Sequence, residues 1–136
     1  MQVIRRTLFV ARHGNDNRFF CHYVDSNESV VKWHSEETVI PYISPIDGKY
    51  HRYYVDFTME MIDGRTILVE VKPHKETKHP VQPKKKTRKA TDRFQQEIKT
   101  FLVNQAKWKY AEEAANKNGA EFVVFTEHEL RRFGMP

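Results

Sequence analysis

An Asp-Gly pair, Asp63-Gly64, constrains this chain more than any other feature, because it separates two runs in which apolar and polar residues alternate. Both residues tolerate the positive φ that a type I′ turn requires, and Asp-Gly between such runs is a strong signal for a β-hairpin. The sequence therefore predicts one strand over residues 49–61 and a second strand over residues 66–72, paired in antiparallel fashion.

Side chains alternate between the two faces of a strand, so this hairpin separates its residues into two sets. One set is apolar and is expected to face the core: Tyr53, Val55, Phe57 and Met59 from the first strand, with Ile67, Val69 and Val71 from the second. The other set contains Arg52, Tyr54, Asp56 and Thr58, followed by Leu68, Glu70 and Lys72. We therefore expect Asp56, Glu70 and Lys72 to converge on one small patch.

The residues before this hairpin predict further strands. Residues 38–44 alternate well enough for a strand, and Pro41 within them indicates a strand edge or a bulge. A second Asp-Gly turn follows at Asp47-Gly48, so the three strands would form an antiparallel meander. The stretch 29–34, SVVKWH, fits a strand or a short helix, and a short strand is expected within residues 3–11.

The hydrophobic period changes to that of a helix at Ala90. Apolar residues then recur at intervals of three and four, and the predicted helix ends at Asn118-Gly119, which has the composition of a C-cap. Thr91 or Asp92 is expected to cap its start. The apolar stripe contains Phe94, Ile98, Phe101, Leu102, Gln105, Trp108 and Ala111 or Ala115.

A short buried strand is predicted at residues 121–125, EFVVF. Thr126 with Glu129 forms a capping box for a last helix through about residue 133. A strand, a long helix and a further strand imply a crossover connection. We therefore expect an α/β fold in which a mixed β-sheet, made of the antiparallel meander and one crossover strand, is flanked by helices.

The length of 136 residues and the apolar content of 39% predict a single folded domain over residues 1–136. No apolar run reaches the roughly 18 residues of a membrane span. The first residues lack the pattern of a signal peptide, and the single cysteine, Cys21, excludes an internal disulfide. These features predict a protein of a reducing cytoplasm, without a membrane partner.

Positive charge is concentrated in one segment. Residues 72–93 carry a net charge of +7, whereas the rest of the chain sums to −2. Residues 73–89 contain three prolines and few apolar side chains, so we expect a basic, extended and mobile loop there. Such a loop is either a solvated surface or a contact for nucleic-acid phosphates, and its position directly after Lys72 favours the second interpretation. The candidate phosphate contacts are Lys84, Lys85, Lys86, Arg88 and Lys89.

The spacing Asp…Glu-x-Lys supplies the groups that phosphodiester hydrolysis needs. Two carboxylates can hold Mg²⁺, which prefers oxygen ligands, and the ion stabilises phosphate charge and acidifies bound water. A neighbouring lysine can orient or deprotonate that water. The same pattern is also typical of a salt-bridged polar face on an exposed strand. The functional interpretation is favoured because Glu70 and Lys72 interrupt an apolar strand that leads into the basic loop.

Other polar and aromatic side chains have two interpretations each. Arg52, on the predicted face of the site aspartate, is a phosphate contact or an ordinary ion-pair partner. Gln105, within the helix stripe, hydrogen-bonds to site residues or satisfies a buried backbone group. Lys107 reaches a phosphate or is a solvated helix lysine. Trp33 and Trp108 are expected in the core rather than as base-stacking platforms. No zinc-ligand spacing is present among Cys21, His22, His34 and His51, and His74 and His79 lie in the basic loop.

The residues around this site resemble those of a known family. Tyr54-Val55-Asp56-Phe57, a glycine turn and Val69-Glu70-Val71-Lys72-Pro73 are similar to the PD-(D/E)xK nuclease signature, with Val55 where proline often stands. Trp33-His34-Ser35-Glu36, residues 39–42, residues 47–53 and Asn104-Gln105-Ala106-Lys107-Trp108 resemble the head completion nucleases of tailed phages, which are related to TnsA-type endonucleases. The resemblance extends from about residue 21 to residue 130.

This resemblance implies a restriction-endonuclease-like core and Mg²⁺-dependent DNA cleavage, with Mn²⁺ as a substitute. It implies that Asp56, Glu70 and the carbonyl of Val71 bind the metal, that Lys72 positions or activates water, and that Glu36, in preference to its neighbour Glu37, is the upstream acidic residue. The cleavage would finish DNA-filled heads before tail joining.

The implied partners are DNA and phage head or neck proteins, and the implied location is the host cytoplasm during assembly. Association with the virion and a monomeric or dimeric state remain open. Two other functions also remain open: a non-catalytic protein of the virion or neck that binds DNA ends, and a junction-resolving or repair nuclease of the same fold.

Overall fold

The computed structural model describes residues 30–128. Its strands are β1 (Val30–Ser35), β2 (Val39–Ile43), β3 (Tyr50–Tyr54), β4 (Phe57–Met61), β5 (Thr66–Val71) and β6 (Glu121–Phe125). A 3₁₀ turn spans His74–Thr77, and a long helix, α1, spans Arg88–Lys117. The stretch that fitted either a strand or a helix is thus a strand, β1. The strand expected within residues 3–11, Cys21 and the last helix beyond residue 128 lie outside the described residues.

Four strands form one mixed sheet in the order β1-β4-β5-β6. β4 is antiparallel to both β1 and β5, whereas β5 and β6 are parallel and α1 lies between them in the chain. This confirms the mixed sheet with one crossover strand. The predicted meander is only partly right, because β2 pairs with β3 in a separate two-stranded sheet and β1 takes the place beside β4.

The two sheets meet at a break in one long antiparallel ribbon. Ser35 lies opposite Phe57 in the larger sheet, and Val39 lies opposite Tyr54 in the smaller one. Between these two pairs, residues 36–38 lie on one side of the ribbon and residues 55–56 lie on the other, which is three residues opposite two. One extra residue on one strand of an antiparallel pair is a β-bulge, which bends the strand and increases its twist.

Backbone hydrogen bonds continue across this bulge. The N–H of Glu36 donates to the carbonyl of Asp56 at 3.1 Å, and the N–H of Val55 donates to the carbonyl of Thr38 at 3.0 Å. The prediction of one continuous strand over residues 49–61 is therefore wrong, because Val55 and Asp56 form the corner at which the chain passes from one sheet to the other.

Apolar residues form two clusters on opposite faces of the larger sheet. The face away from α1 holds Val30, Trp33, Phe57, Met59, Val69 and Val71. The face toward α1 holds Ile40, Tyr42, Tyr53, Val55, Leu68, Ala111 and Ala115. Tyr53 and Val55 were expected to pack with Phe57 and Met59, and this is wrong because the bulge places the two halves of the ribbon in different clusters. The prediction of Trp33 in the core is confirmed.

Helix α1 begins earlier than the sequence predicts. Thr87, rather than Thr91 or Asp92, caps it, and its hydroxyl accepts the N–H three residues further along the chain at 3.1 Å. Arg88 and Lys89 therefore lie in the first helical turn and not in a loop. That turn carries no acidic side chain, so two positive charges lie at the positive end of the helix dipole.

The end of α1 is predicted correctly, and its buried face is predicted in part, since Ala111 and Ala115 of the expected stripe are buried. Asn118 is the C-cap and Gly119 adopts a left-handed φ of 70°, as a helix terminus of this type requires. Gln105 and Leu102 were expected to face the core, but both are exposed. Asn104 is buried instead, 7% exposed, on the same face as the buried alanines Ala111 and Ala115.

The turn between β4 and β5 has three residues rather than two. The N–H of Gly64 donates to the carbonyl of Met61 at 3.0 Å, and the N–H of Met61 donates to the carbonyl of Arg65 at 2.8 Å. Gly64 has a φ of 92°, while Asp63 does not have a positive φ, which excludes the predicted type I′ turn. The resulting register still keeps the predicted apolar residues of β4 and β5 on one face.

Residues 73–89, the basic segment, contain the 3₁₀ turn and otherwise no regular structure before α1 begins. Its lysines Lys84, Lys85 and Lys86 are exposed. The ring of His79 packs edge-on against Phe101 of α1 at a centroid distance of 5.3 Å, which attaches the segment to the helix. Over residues 30–128, no helix has the length and apolar character needed to cross a membrane.

Candidate active site

Asp56 lies at the corner between β3 and β4, beside the bulge. It is buried, with 4% of its surface exposed. Its carboxylate Oδ2 accepts the backbone N–H of Val71 at 2.9 Å, and its carbonyl accepts the N–H of Glu36. The corner therefore holds Asp56 between the end of β5 on one side and the bulge on the other.

Glu70 lies on β5 and is also buried, with 6% of its surface exposed. It points to the face that α1 covers, as the alternation along the strand predicts, because its neighbours Val69 and Val71 pack on the opposite face. Its Oε2 accepts two hydrogen bonds, one from the hydroxyl of Tyr53 and one from Nε1 of Trp108 at 3.2 Å. A strand and a helix thus fix one carboxylate.

The two carboxyl groups interact directly, as the pKa of Asp56 reflects. Burial raises this pKa to about 8, and a hydrogen bond with Glu70 and the negative charge of Glu70 act in the same direction. The N–H of Val71 and the charge of Lys72 act against this rise without cancelling it. The pair of Asp56 and Glu70, called the carboxylate pair below, is therefore unfavourable in its fully ionised form unless a positive charge lies beside it.

Tyr53 remains a hydrogen-bond donor to this pair throughout the physiological pH range. Burial raises the pKa of its hydroxyl far above the ordinary value, and the charge of Glu70 raises it further. A protonated phenol and an indole N–H on the same oxygen are fixed donors. They orient Glu70 and stabilise its negative charge.

Two lysines contribute positive charge to the site. Lys72 follows directly after β5, and its backbone N–H donates to the carbonyl of Phe125 at 2.9 Å, which continues the parallel pairing with β6. Lys107 of α1 is half-buried, and its Nζ lies 5.8 Å from the ring centroid of Tyr42 and 5.6 Å from that of Tyr53. These are distances of cation–π contact.

The pKa of Lys107 shows that it belongs to the same electrostatic cluster. Burial lowers this pKa, the charge of Lys72 lowers it further, and the charges of Glu70 and Asp56 raise it. Lys107 is therefore not the solvated helix lysine that was one of its two interpretations. Its Nζ lies inside the site, next to the ring of Tyr53, whose hydroxyl donates to Glu70.

Glu36 is part of the bulge and half-buried. Its φ of 56° is left-handed, a conformation that glycine adopts readily and other residues rarely do. The structure thus places its backbone against that of Asp56, whereas a metal-assisting role for its carboxylate stays a prediction, as does metal binding by the carbonyl of Val71.

Other predicted site residues lie on the surface. Arg52 was expected to share the face of Asp56, but the corner at residues 55–56 breaks the alternation and leaves Arg52 exposed on β3, opposite Pro41. Gln105 is exposed on α1, so its expected burial within the helix stripe is wrong. Lys84, Lys85, Lys86, Arg88 and Lys89 are all exposed, a position that suits contacts with a large polyanion.

Tyr53 and Trp108 are site residues that the sequence pattern assigned to the core. Both do pack in the apolar cluster beneath α1, but the polar group of each reaches Glu70. Buried tyrosine and tryptophan side chains normally have a hydrogen-bond partner, so a buried carboxylate in the same region was the available signal. Which aromatic residue reaches it depends on the bulge and on the docking of α1.

The carboxylate oxygens of the carboxylate pair suit a divalent cation that prefers oxygen ligands. Asp56 and Glu70 contribute carboxylate oxygens from two elements that hydrogen bonds hold together, and the raised pKa of Asp56 reflects a need for neighbouring positive charge. A divalent ion would remove the repulsion between the two ionised groups.

Comparisons with known proteins show which family this chain belongs to. The profile of the family described as TnsA-like endonuclease N terminal matches residues 27–127. The head completion nuclease of Enterobacteria phage T4 is 40% identical over 125 residues, which cover 92% of this chain and 83% of that protein. No solved structure matches the chain. The matched range includes the carboxylate pair and the two residues that donate hydrogen bonds to Glu70, Tyr53 and Trp108. The chain belongs to the TnsA-like endonuclease N-terminal family.

Proposed function

We propose that this protein is a Mg²⁺-dependent DNA endonuclease that acts in phage head completion, where it trims packaged DNA ends before tail joining. The observation that carries the proposal is the buried contact between Asp56 and Glu70, with Lys72 beside them. The family match supports nuclease activity, and the relative from phage T4 is named for head completion. The fold would be a restriction-endonuclease-like core formed by residues 1–136 as a single domain. The mobile loop of the basic segment would be confined to the residues between His79, which contacts Phe101, and the start of α1 at Arg88.

The residues of the site divide the chemistry among them. Asp56, Glu70 and the carbonyl of Val71 would hold Mg²⁺, with Mn²⁺ as a substitute. When bound, the ion would neutralise negative charge at the phosphate and lower the pKa of a water molecule beside it. Tyr53 and Trp108 hold Glu70 in one orientation, because both donate to the same oxygen.

Lys72 would orient the attacking water or accept its proton at Nζ, since it lies close enough to Asp56 to lower that pKa. Glu36 would provide a further carboxylate at the bulge. Lys107, held over two aromatic rings, would contact the phosphate that enters the site.

DNA would be held mainly through its phosphates. Lys84, Lys85, Lys86, Arg88 and Lys89 are exposed and lie where the basic segment leads into α1, and Arg52 is exposed on the smaller sheet. Contacts of this type position a nuclease on the duplex without reading its sequence. Head or neck proteins would be further partners, in the host cytoplasm during assembly, with the virion as an additional location.

The direct test is plasmid cleavage with Mg²⁺ or Mn²⁺ by the full chain and by Glu70→Ala and Lys72→Ala variants. We expect nicked and linear products from the native chain, and a loss of rate of at least about 100-fold in both variants. Lys49→Ala changes an exposed lysine just before β3; it is the matched control and should cleave normally.

Binding measurements separate this proposal from its alternatives. Titration calorimetry should show Mg²⁺ binding to the native chain and its loss in Glu70→Ala, while both keep DNA affinity without metal. A native chain that binds DNA but leaves it intact with both metals would instead be a non-catalytic DNA-end-binding protein. Strong preference for branched DNA by a stable dimer would indicate a junction-resolving or repair nuclease.

A further inference from the structure

We propose that His74, Glu127 and His128 form a binding site for a transition-metal ion such as Zn²⁺, separate from the carboxylate pair. One ligand atom from each of the three side chains lies within 4.8 Å of the other two. Two imidazole nitrogens and one carboxylate oxygen suit Zn²⁺, Co²⁺ and Ni²⁺, whereas Mg²⁺ prefers oxygen ligands alone. The two sites of this protein therefore differ in the class of metal that they select.

Two segments that are 53 residues apart in the sequence supply the ligands. His74 follows the end of β5, and Glu127 and His128 follow the end of β6. These strands are parallel neighbours with Val71 opposite Phe125. The N–H of Lys72 continues their pairing with a bond to Phe125. The pairing of β5 with β6 thus fixes the relative position of the two segments independently of the ligand side chains.

The three side chains are also oriented toward one another. Oε1 of Glu127, which is half-buried, accepts the backbone N–H of His74 at 2.8 Å. The rings of His74 and His128 meet edge to face, with centroids 4.6 Å apart. The bond to Glu127 uses the backbone of His74, so it holds the carboxylate in place without engaging the imidazole.

At ligand distances of about 2.0–2.2 Å, the ligand atoms of a tetrahedral Zn²⁺ site lie roughly 3.3–3.6 Å apart, so the three atoms, which lie within 4.8 Å of one another, would move closer by up to roughly 1.5 Å. Three protein ligands would leave a fourth tetrahedral position for water. No spacing rule finds this site in the sequence, because its ligands come from the ends of two different strands.

A metal at this position would connect the first residue of the 3₁₀ turn, where the basic segment begins, to the residues after β6. It would stabilise the whole chain and hold the start of the basic segment next to Lys72. The inference does not depend on the proposed nuclease activity, because none of the three ligands belongs to the carboxylate pair.

The experiment uses the full chain, freed of metal with a chelator. Addition of Co²⁺ should give the visible absorption of a tetrahedral nitrogen and oxygen site that saturates at one ion per chain. Addition of Zn²⁺ should raise the Tm by about 5 °C at saturating concentration. Absence of saturable one-to-one binding would overturn the proposal and leave a metal-free histidine–glutamate contact.

Variants locate the ion. His74→Ala and His128→Ala should lose the Zn²⁺-dependent rise in Tm, and Glu127→Gln should weaken it while still accepting the N–H of His74. The Tm of each variant without metal shows whether the substitution destabilises the fold itself. For Glu127→Gln, this metal-free Tm should differ from that of the native chain by less than about 2 °C. His79→Ala, in the same segment, and Glu70→Gln, in the carboxylate pair, should keep the full rise. Unchanged binding in His74→Ala and His128→Ala, or loss of binding in Glu70→Gln, would contradict the assignment.

Discussion

Glu36 donates its backbone N–H to the carbonyl oxygen of Asp56 at 3.1 Å, across the bulge that separates the two sheets. Within residues 30–128, Glu36 is the non-glycine residue with a positive φ. A left-handed backbone costs such a residue roughly 1 kcal/mol or more, and glycine is the usual residue at bulges of this type. We therefore predict that the side chain of Glu36, next to the site aspartate, has a role that glycine would not perform.

Replacement of Glu36 by glycine and by alanine separates backbone strain from side-chain function. Both variants lose the carboxylate, but only glycine removes the strain, so Glu36→Gly should be more stable than Glu36→Ala by about 1 kcal/mol in urea unfolding. At Glu37, which has an ordinary φ, the order should be reversed. Both Glu36 variants should slow plasmid cleavage at least about 10-fold. Normal cleavage by either of them would refute the predicted role of the carboxylate.

The pKa of Asp56 predicts a loss of stability as pH rises in the absence of metal. The folded-state value of about 8 lies above the unfolded value of about 4, so the folded state binds more protons. The stabilisation that the protonated Asp56 carboxyl gives the folded state is fully present below pH 4 and is lost as pH rises from 4 toward 8. Asp56→Asn should remove this dependence, and at pH 8 in chelator it should be more stable than the native chain by on the order of 2 kcal/mol.

The check on this prediction is urea unfolding between pH 5 and pH 8.5, with the difference between the two proteins as the readout. Saturating Mg²⁺ should reduce the difference, because the ion favours the ionised form of the carboxylate pair. A difference that does not vary with pH would show that Asp56 titrates normally.

The hydroxyl of Tyr53 should matter more to metal binding than to folding. Tyr53→Phe removes one of the two donors to Glu70, at a cost of about 1 kcal/mol in unfolding free energy. We expect Mg²⁺ affinity, measured by calorimetry, to fall by about 10-fold, as is typical when a group that orients a metal ligand is removed. Tyr54→Phe, on the same strand but exposed, is the matched control and should bind Mg²⁺ like the native chain. Equal affinities in the two variants would remove Tyr53 from the site.

The basic segment should determine how DNA affinity depends on salt. Replacement of Lys84, Lys85 and Lys86 by alanine should reduce the slope of log affinity against log salt by up to about 0.9 for each phosphate that the variant no longer binds. A control with the same change in net charge replaces Lys99, Lys109 and Lys117, which are exposed along α1. Equal slopes in the two triple variants would mean that only net charge matters and that the segment is a solvated surface.

Much of this fold follows from local signals in the sequence. The hairpin at Asp63-Gly64, the helix end at Asn118-Gly119 and β6 at residues 121–125 depend on turn chemistry, capping and periodicity over a few residues. The convergence of Asp56 and Glu70 followed from the alternation of side chains along two paired strands. The period also predicted an apolar stripe on α1, and its members Ala111 and Ala115 are buried, although Asn104 is buried in place of Gln105.

Only the tertiary structure decided how the site is completed. The bulge at Glu36 ends the alternation at Asp56, so it moves Arg52 to the surface and Tyr53 against Glu70. Trp108 reaches the same carboxylate from α1, 38 residues away in the sequence. Such contacts depend on register and on the docking of a helix against a sheet. A short stretch of sequence does not determine the strand register or the docking of the helix, because the free energy that selects both comes from burial over the whole core. The sequence by itself thus determined which strand residues carry the carboxylate pair, and the packed fold determined which side chains hold it.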